Sequence, residues 1–199
     1  MSQQAAFNKL VGSRSNELHN LIEQWKSGRL SIDDLGDEYY DVLRRGHTEA
    51  YTLGAKQAGS KLEPSVLQTL AEQHGRAQAD AEQEWLDGFL SDLESDKYTD
   101  DEGKVNLSRI NNRASMYAHK LRGTANQAFV DESPNDATYD WVMSGTEAHC
   151  NDCPRLAALS PYSADELFAT PGSCDTECLT GCKCFLRRSD GVPSIKRPS

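Results

Sequence analysis

All six cysteines fall in the last third of the chain: Cys150-Asn-Asp-Cys153 first, then Cys174, Cys178, Cys182 and Cys184. A C-x-x-C turn followed downstream by a second thiol cluster is the spacing of a structural zinc site. Two loops each present a pair of thiolates to one tetrahedral ion, and four protein ligands leave no open position for catalysis. The first half-site is Cys150 and Cys153, on a knuckle ending in Pro154. The second must come from Cys174, Cys178, Cys182 and Cys184. Cys178 precedes Cys182 across Leu179-Thr-Gly181, where Gly181 can supply the positive φ of a knuckle turn. The spacing favours Cys150, Cys153, Cys178 and one of Cys182 or Cys184 around one ion. His149 could replace a thiol, but beside Cys150 it is expected to point away. Disulfide pairing, or one zinc with a disulfide or free thiols, remains the alternative. In a reducing compartment clustered thiols are metal ligands sooner than disulfides.

The elements that must carry this centre are mostly helical by pattern. Four segments show apolar residues at helical period. The first runs from Phe7 to Trp25 and stops near Gly28. The second opens with Ser31 as N-cap and Asp34 reaching back, and carries the small residues Gly46, Ala50, Gly54, Ala58 and Gly59, which admit a close neighbour. The third follows Pro64, a good first-turn residue, and continues through Leu67, His74, Trp85 and Leu93 as one helix. The fourth spans Leu107 to Ala128. A polar loop at 95–104 separates the last two, and Asp131-Glu-Ser-Pro-Asn-Asp136 breaks the pattern again. Beyond it Thr138–Met143 alternates like a strand. Ser163–Phe168 is expected to form a turn or two of helix capped by Ser163 and Glu166, and Cys184–Arg188 to form a closing strand. These readings give a mainly α protein, with a helical domain at 1–132, a small α+β cysteine-rich zinc module at 136–190 and a mobile basic tail at 191–199. The helices are expected to form an elongated bundle.

Composition narrows the function classes. The net charge is −10 with 26% charged and 37% hydrophobic residues, which disfavours a broad grip on a phosphate backbone. The exception is the basic end, with Lys183, Arg187, Arg188, Lys196 and Arg197 against Asp190. No apolar run is long enough for a membrane span, and the N-terminus lacks the pattern of a signal peptide. The five histidines form no H-E-x-x-H pair, and no nucleophile-elbow or phosphate-loop motif occurs. The acidic loop at 95–104 lacks EF-hand ligand spacing. His74 reads as a helix-packing histidine, and Trp25, Trp85 and Trp141 as core or interface anchors. A thioredoxin-like role for Cys150 and Cys153 would need a strand–helix setting that the pattern does not supply.

The cysteine region resembles the C-terminal part of the minor head, or head-morphogenesis, proteins of tailed bacteriophages, the family typified by the F protein of phage Mu. The resemblance rests on Trp141, Glu147-Ala-His-Cys-Asn-Asp-Cys-Pro-Arg-Leu156, Tyr162-Ser-Ala-Asp-Glu-Leu167, Pro171-Gly172 and Thr176-Glu-Cys-Leu-Thr-Gly-Cys-Lys-Cys184. Weaker support comes from Ala50–Gly59 and Arg113–Gly123, which are similar to the small-residue helices preceding the cysteine module in such proteins. The chain departs from that family at Leu179, where histidine is common, and Cys178 takes over as a thiol ligand. The resemblance implies a structural, non-enzymatic protein of the phage head, made in the cytoplasm of the infected bacterium. It implies docking on portal, inner-capsid or scaffold proteins, with at most weak contact between the basic tail and packaged DNA. A nucleic-acid-binding zinc protein and a thiol redox enzyme are the competing classes.

Overall fold

Helix α1 (Gln3–Lys26) starts where the Ser2 hydroxyl accepts the Ala5 amide at 3.2 Å, and it ends before Gly28, whose φ of 71° turns the chain. The computed structural model describes residues 2–95, 97–100, 102–145 and 149–197. Asp96 and Asp101 of the polar loop, Glu147 and Ala148 of the phage-like motif, and Pro198 and Ser199 of the tail lie outside them. Helix α2 (Ile32–Ala58) opens as its sequence requires, with Ser31 Oγ accepting the Asp34 amide at 3.1 Å and donating to its carboxylate at 2.6 Å. Helix α5 (Leu107–Asp131) is capped by the Asn106 side chain, which accepts the Arg109 amide.

The expected third helix is two. Helix α3 (Pro64–Ala81) and helix α4 (Gln83–Glu94) are interrupted at Glu82, which is buried and sets its carboxylate 3.3 Å from His47 Nε2 and 3.6 Å from Lys120 Nζ. Apolar periodicity continues across the break, so spacing alone did not reveal it. A carboxylate on the inner face was the available signal.

Helices α2 and α5 form the centre of the helical body, with α1 and α3 packed on them. The small-residue seam brings them into backbone contact. A Cβ at Gly54 would stand 1.9 Å from the Ala125 carbonyl oxygen, and one at Gly46 would stand 3.1 Å from Leu121. Phe7, Leu18, Ile22, Leu35, Tyr39, Leu43, Phe89 and Ile110 fill the core between the helices. The small-residue seam and the apolar stripes are thus largely used within the chain. His74 stacks on Tyr51 with ring centroids 4.3 Å apart.

After α5 a three-stranded antiparallel sheet forms, in the order β2-β1-β3: β1 (Thr138–Val142) pairs with β2 (Tyr162–Ser163) on one side and β3 (Phe185–Arg188) on the other. Alternation along β1 buries Tyr139 and Trp141, and β3 buries Leu186 and Arg188. These pack on Phe129 and Val130 of α5. Helix α6 (Asp152–Ala158) lies where only a knuckle was expected, with Pro154 in its first turn. Residues 164–166 form a turn rather than the expected helix, although Glu166 does accept the Ser163 amide and hydroxyl at 2.9 and 2.7 Å.

Residues 192–197, expected to trail as a mobile basic tail, pack against the helices. Ser194 and Ile195 are 2% and 1% exposed, and Ile195 joins the helical core. Gln4 brackets Lys196 with two hydrogen bonds of 2.8 and 3.0 Å, Gln57 donates to the Pro193 carbonyl at 2.7 Å, and Arg197 donates to the Gly181 carbonyl at 2.9 Å. Arg188 ties the sheet to the helices, since its Nη1 donates to the Ala58 carbonyl at 2.7 Å and the Ser133 hydroxyl at 2.9 Å.

Candidate metal centre

Two short segments present the thiols. Cys150 precedes α6 and Cys153 sits in its first turn, facing inward beside Leu156. A 3₁₀ turn, Leu179–Gly181, is flanked by Cys178 and Cys182, and Cys184 leads into β3. The positive φ of this turn falls on Leu179 (47°), not on Gly181 as the sequence suggested. The segments are clamped reciprocally. The Asn151 amide donates to Glu177 Oε2 at 3.0 Å, and the Glu177 amide donates to Asp152 Oδ2 at 2.9 Å. Each carboxylate thereby satisfies a loop amide of the opposite segment.

The sulfurs converge. Cys150 Sγ lies 3.4 Å from Cys153 Sγ and 3.2 Å from Cys178 Sγ, and Cys153 Sγ lies 3.8 Å from Cys178 and 3.9 Å from Cys182. A tetrahedral ion with metal–sulfur bonds of about 2.3 Å has sulfur–sulfur edges of about 3.8 Å. A disulfide would need about 2.05 Å, and all six thiols are free. Five of them, Cys150, Cys153, Cys178, Cys182 and Cys184, come together as the sequence proposed. Cys174 does not. It has a φ of 72° and lies beside Lys120 and Glu82, where burial raises its thiol pKa.

His149, expected to point away, faces in. Its Nδ1 is 3.7 Å from Cys184 Sγ while its Nε2 meets the Ser144 carbonyl at 3.0 Å. A ring held through one nitrogen by a backbone carbonyl and offering the other is the usual setting of a metal-binding imidazole. Three triads have all ligand atoms within 4.8 Å of one another: Cys150/Cys153/Cys178, His149/Cys153/Cys184 and the more exposed Cys150/Asp152/Glu177; Cys153 belongs to the first two. The cluster can hold a metal ion.

Its electrostatics favour a cation. Burial drives the Cys153 thiol far above its ordinary range, and burial pushes Cys178 up to about 11. The neighbouring Cys184 and burial likewise raise Cys182. At Cys150 burial is outweighed by its hydrogen bonding with Cys178 and Cys153, and the thiol falls below its usual value. So many sulfurs at these separations cannot all ionise without a positive ion among them. One fixed cation is already there: Arg122 of α5, 1% exposed, faces Cys182. Its Nη1 reaches the Cys184 carbonyl at 3.4 Å, and its Nε and Nη2 have no hydrogen-bond partner. Beside it, a Cβ at Gly123 would stand 2.7 Å from the Gly172 oxygen, and Asn126 Nδ2 donates to the Pro171 carbonyl at 2.8 Å. The Pro171-Gly172 loop is thereby seated on α5.

Sequence reasoning did not single out Arg122, Asn126 or Glu177. Arg122 could have been found, because Ala118, Ala125 and Phe129 place it on an apolar helical face where a charge needs a partner.

These features define a mainly helical protein with a small C-terminal sheet and a thiol-rich centre able to bind metal. No protein-family model, no curated protein and no solved structure matches the chain. No helix among the described residues is long and apolar enough to cross a membrane.

Proposed function

We propose that the chain is a structural assembly protein whose C-terminal module is knit by zinc, and that it acts as a minor head protein docking on the portal or inner capsid of a tailed phage. The observation that carries this reading is the convergence from two segments of Cys150, Cys153 and Cys178, whose sulfurs all lie within 4.8 Å of one another, with Cys182 3.9 Å from Cys153 and His149 and Cys184 beside it. Zinc is the ion this donor set favours, since thiolate and imidazole ligands suit it and a closed shell leaves no reactive position. The phage assignment rests on the resemblance of Glu147–Leu156, Tyr162–Leu167 and Thr176–Cys184 to head-morphogenesis proteins.

The surface offers material for docking. Trp85, Leu159 and Phe168 are 57%, 61% and 57% exposed, and such isolated apolar side chains suit anchors for a partner. The basic end is less available to DNA than its composition suggests. Arg188 is buried, Arg187 pairs with Asp140 at 3.1 Å, and Lys196 lies over the Phe185 ring at 4.3 Å. Contact with packaged DNA is therefore confined to weak, salt-sensitive attraction by Lys183, Arg187 and Lys196. The groove between α1, α2 and α3 is lined by Arg44, Arg45, Glu49 and Glu72. Arg44 and Arg45 are both paired there with Asp41, an arrangement of surface ion pairs rather than of a nucleophile with its base.

The test is to purify phage particles and precursor heads from the producing cells and search both for this chain by mass spectrometry. Presence at a fixed low copy number beside the portal supports the reading. Absence from both overturns it.

A further inference from the structure

We propose that Arg122 is the buried counter-charge of the metal–thiolate centre, a positioning residue that binds no metal itself but sets how tightly the thiols hold their ion. The inference rests on the reading of the thiols as a zinc centre and deepens it.

The state of the guanidinium is the first argument. Arg122 is among the largest fully buried side chains, at 1% exposure. Its Nε and Nη2 have no hydrogen-bond partner, and its Nη1 reaches the Cys184 carbonyl at a long 3.4 Å. Among the described residues no carboxylate accepts from it. Arginine stays charged inside proteins, and a charge taken out of water without an anion destabilises the fold around it. Burial lowers the pKa of this group, Cys182 and Cys178 oppose that shift, and Arg197 adds to it. The only negative charge these neighbours can supply is thiolate. Zinc coordinates thiolates and not thiols. Four of them around one divalent ion carry two negative charges, so loading the centre creates the anion that Arg122 lacks.

The seating of the side chain is the second, independent argument. Helix α5 carries it inward, and the 170s loop closes over it. A Cβ at Gly172 would stand 2.8 Å from Arg122 Nε and 3.1 Å from Nη2, and the φ of 91° there suits glycine alone. The guanidinium is thus held between that loop and the thiols. Arg197 brings a second guanidinium to the same thiol segment, donating to the Gly181 carbonyl at 2.9 Å. Together the two cations match the double negative charge of a four-thiolate shell.

The experiment uses the full chain, purified under reducing conditions without chelators. Zinc affinity is read by competition with a chromophoric chelator, and the metal-stripped chain is unfolded in urea. Arg122→Met keeps most of the side chain's reach and removes its charge, and it should weaken zinc binding about a hundredfold. Arg122→Lys keeps the charge and should stay within about tenfold of wild type. In the metal-stripped chain Arg122→Met should unfold at the wild-type urea concentration or a higher one, because it removes an uncompensated charge. That sign separates a counter-charge from a structural prop. A lower midpoint for the stripped variant, or its failure to fold, overturns the proposal, as does an equal loss of affinity in Arg122→Met and Arg122→Lys. Undiminished zinc affinity in Arg122→Met overturns the proposal and leaves the zinc centre standing, whereas a wild-type chain that binds no zinc overturns both readings.

Discussion

Replacing Gly54 by alanine sets two opposed effects against each other at one atom. In a helix interior the substitution is favourable by about 1 kcal/mol through backbone propensity. At this position the new methyl would meet the Ala125 carbonyl oxygen at 1.9 Å and its carbon at 2.7 Å. Contacts under 3.0 Å are essentially never made by real Cβ atoms, so α2 and α5 must part by about 1 Å. Both clashing groups are backbone, and no rotamer change relieves them. Overpacking costs about 1–3 kcal/mol, and a rigid backbone overlap belongs at the upper end, for a net loss of about 2 kcal/mol. At roughly 2–4 °C per kcal/mol for a chain of this size, Gly54→Ala should lower the melting temperature by about 4–8 °C. Gly12 is the matched control. It lies in α1, is exposed, and has nothing within 4 Å of its would-be Cβ. Gly12→Ala should raise the melting temperature by about 2–4 °C. Thermal unfolding followed by circular dichroism on metal-loaded protein measures both. A rise for Gly54→Ala equal to that for Gly12→Ala would refute the close α2–α5 contact.

Cys153→Ser removes the sulfur shared by the Cys150/Cys153/Cys178 and His149/Cys153/Cys184 triads. Since a structural zinc site supplies about 10–16 kcal/mol, the variant should lose its metal and expose residues 136–190 to protease while most of the helical signal persists; a resistant module would contradict this. Asn126→Ala strips the buried Pro171 carbonyl of its donor and should cost about 1–3 kcal/mol in urea unfolding; a change within error would mean the loop does not lean on α5. Hydrogen bonds from Arg188 hold Asp190 down to about 2, well below its unfolded value. The stabilisation it gives is therefore complete above about pH 4 and fades as the pH falls toward 2. The stability gap between wild type and Asp190→Asn should be constant from pH 7 to 5 and then close on acidification, as read from denaturant midpoints; a gap that widens on acidification would reverse the sign argued here.

The parts of this fold that follow local rules were legible in the sequence. Ser31 and Asp34 mark the start of α2, Pro64 marks the start of α3, and alternation over Thr138–Met143 gives β1. The thiols were legible because Cys150, Cys153, Cys178, Cys182 and Cys184 have few other uses at such spacing. What escaped depends on contacts distant in sequence. The break at Glu82 accompanies its burial beside His47 and Lys120, neither of which lies nearby in the chain. The residues at 192–197 read as a tail because they are short, basic and proline-flanked. Their order comes from Gln4 and Gln57, at the other end of the sequence. His149 was turned inward by the Ser144 carbonyl, a backbone group that no residue type announces. Ser163 and Glu166 made the hydrogen bonds of a helix start without a helix, because the chain has already paired as β2 on β1.

X-ray absorption at the zinc edge of the purified full-length chain tests the central claim most directly. Convergence of the two segments on metal predicts a sulfur-dominated shell at about 2.3 Å. A shell of light atoms only, or metal-free protein whose cysteines titrate as disulfides, would contradict it.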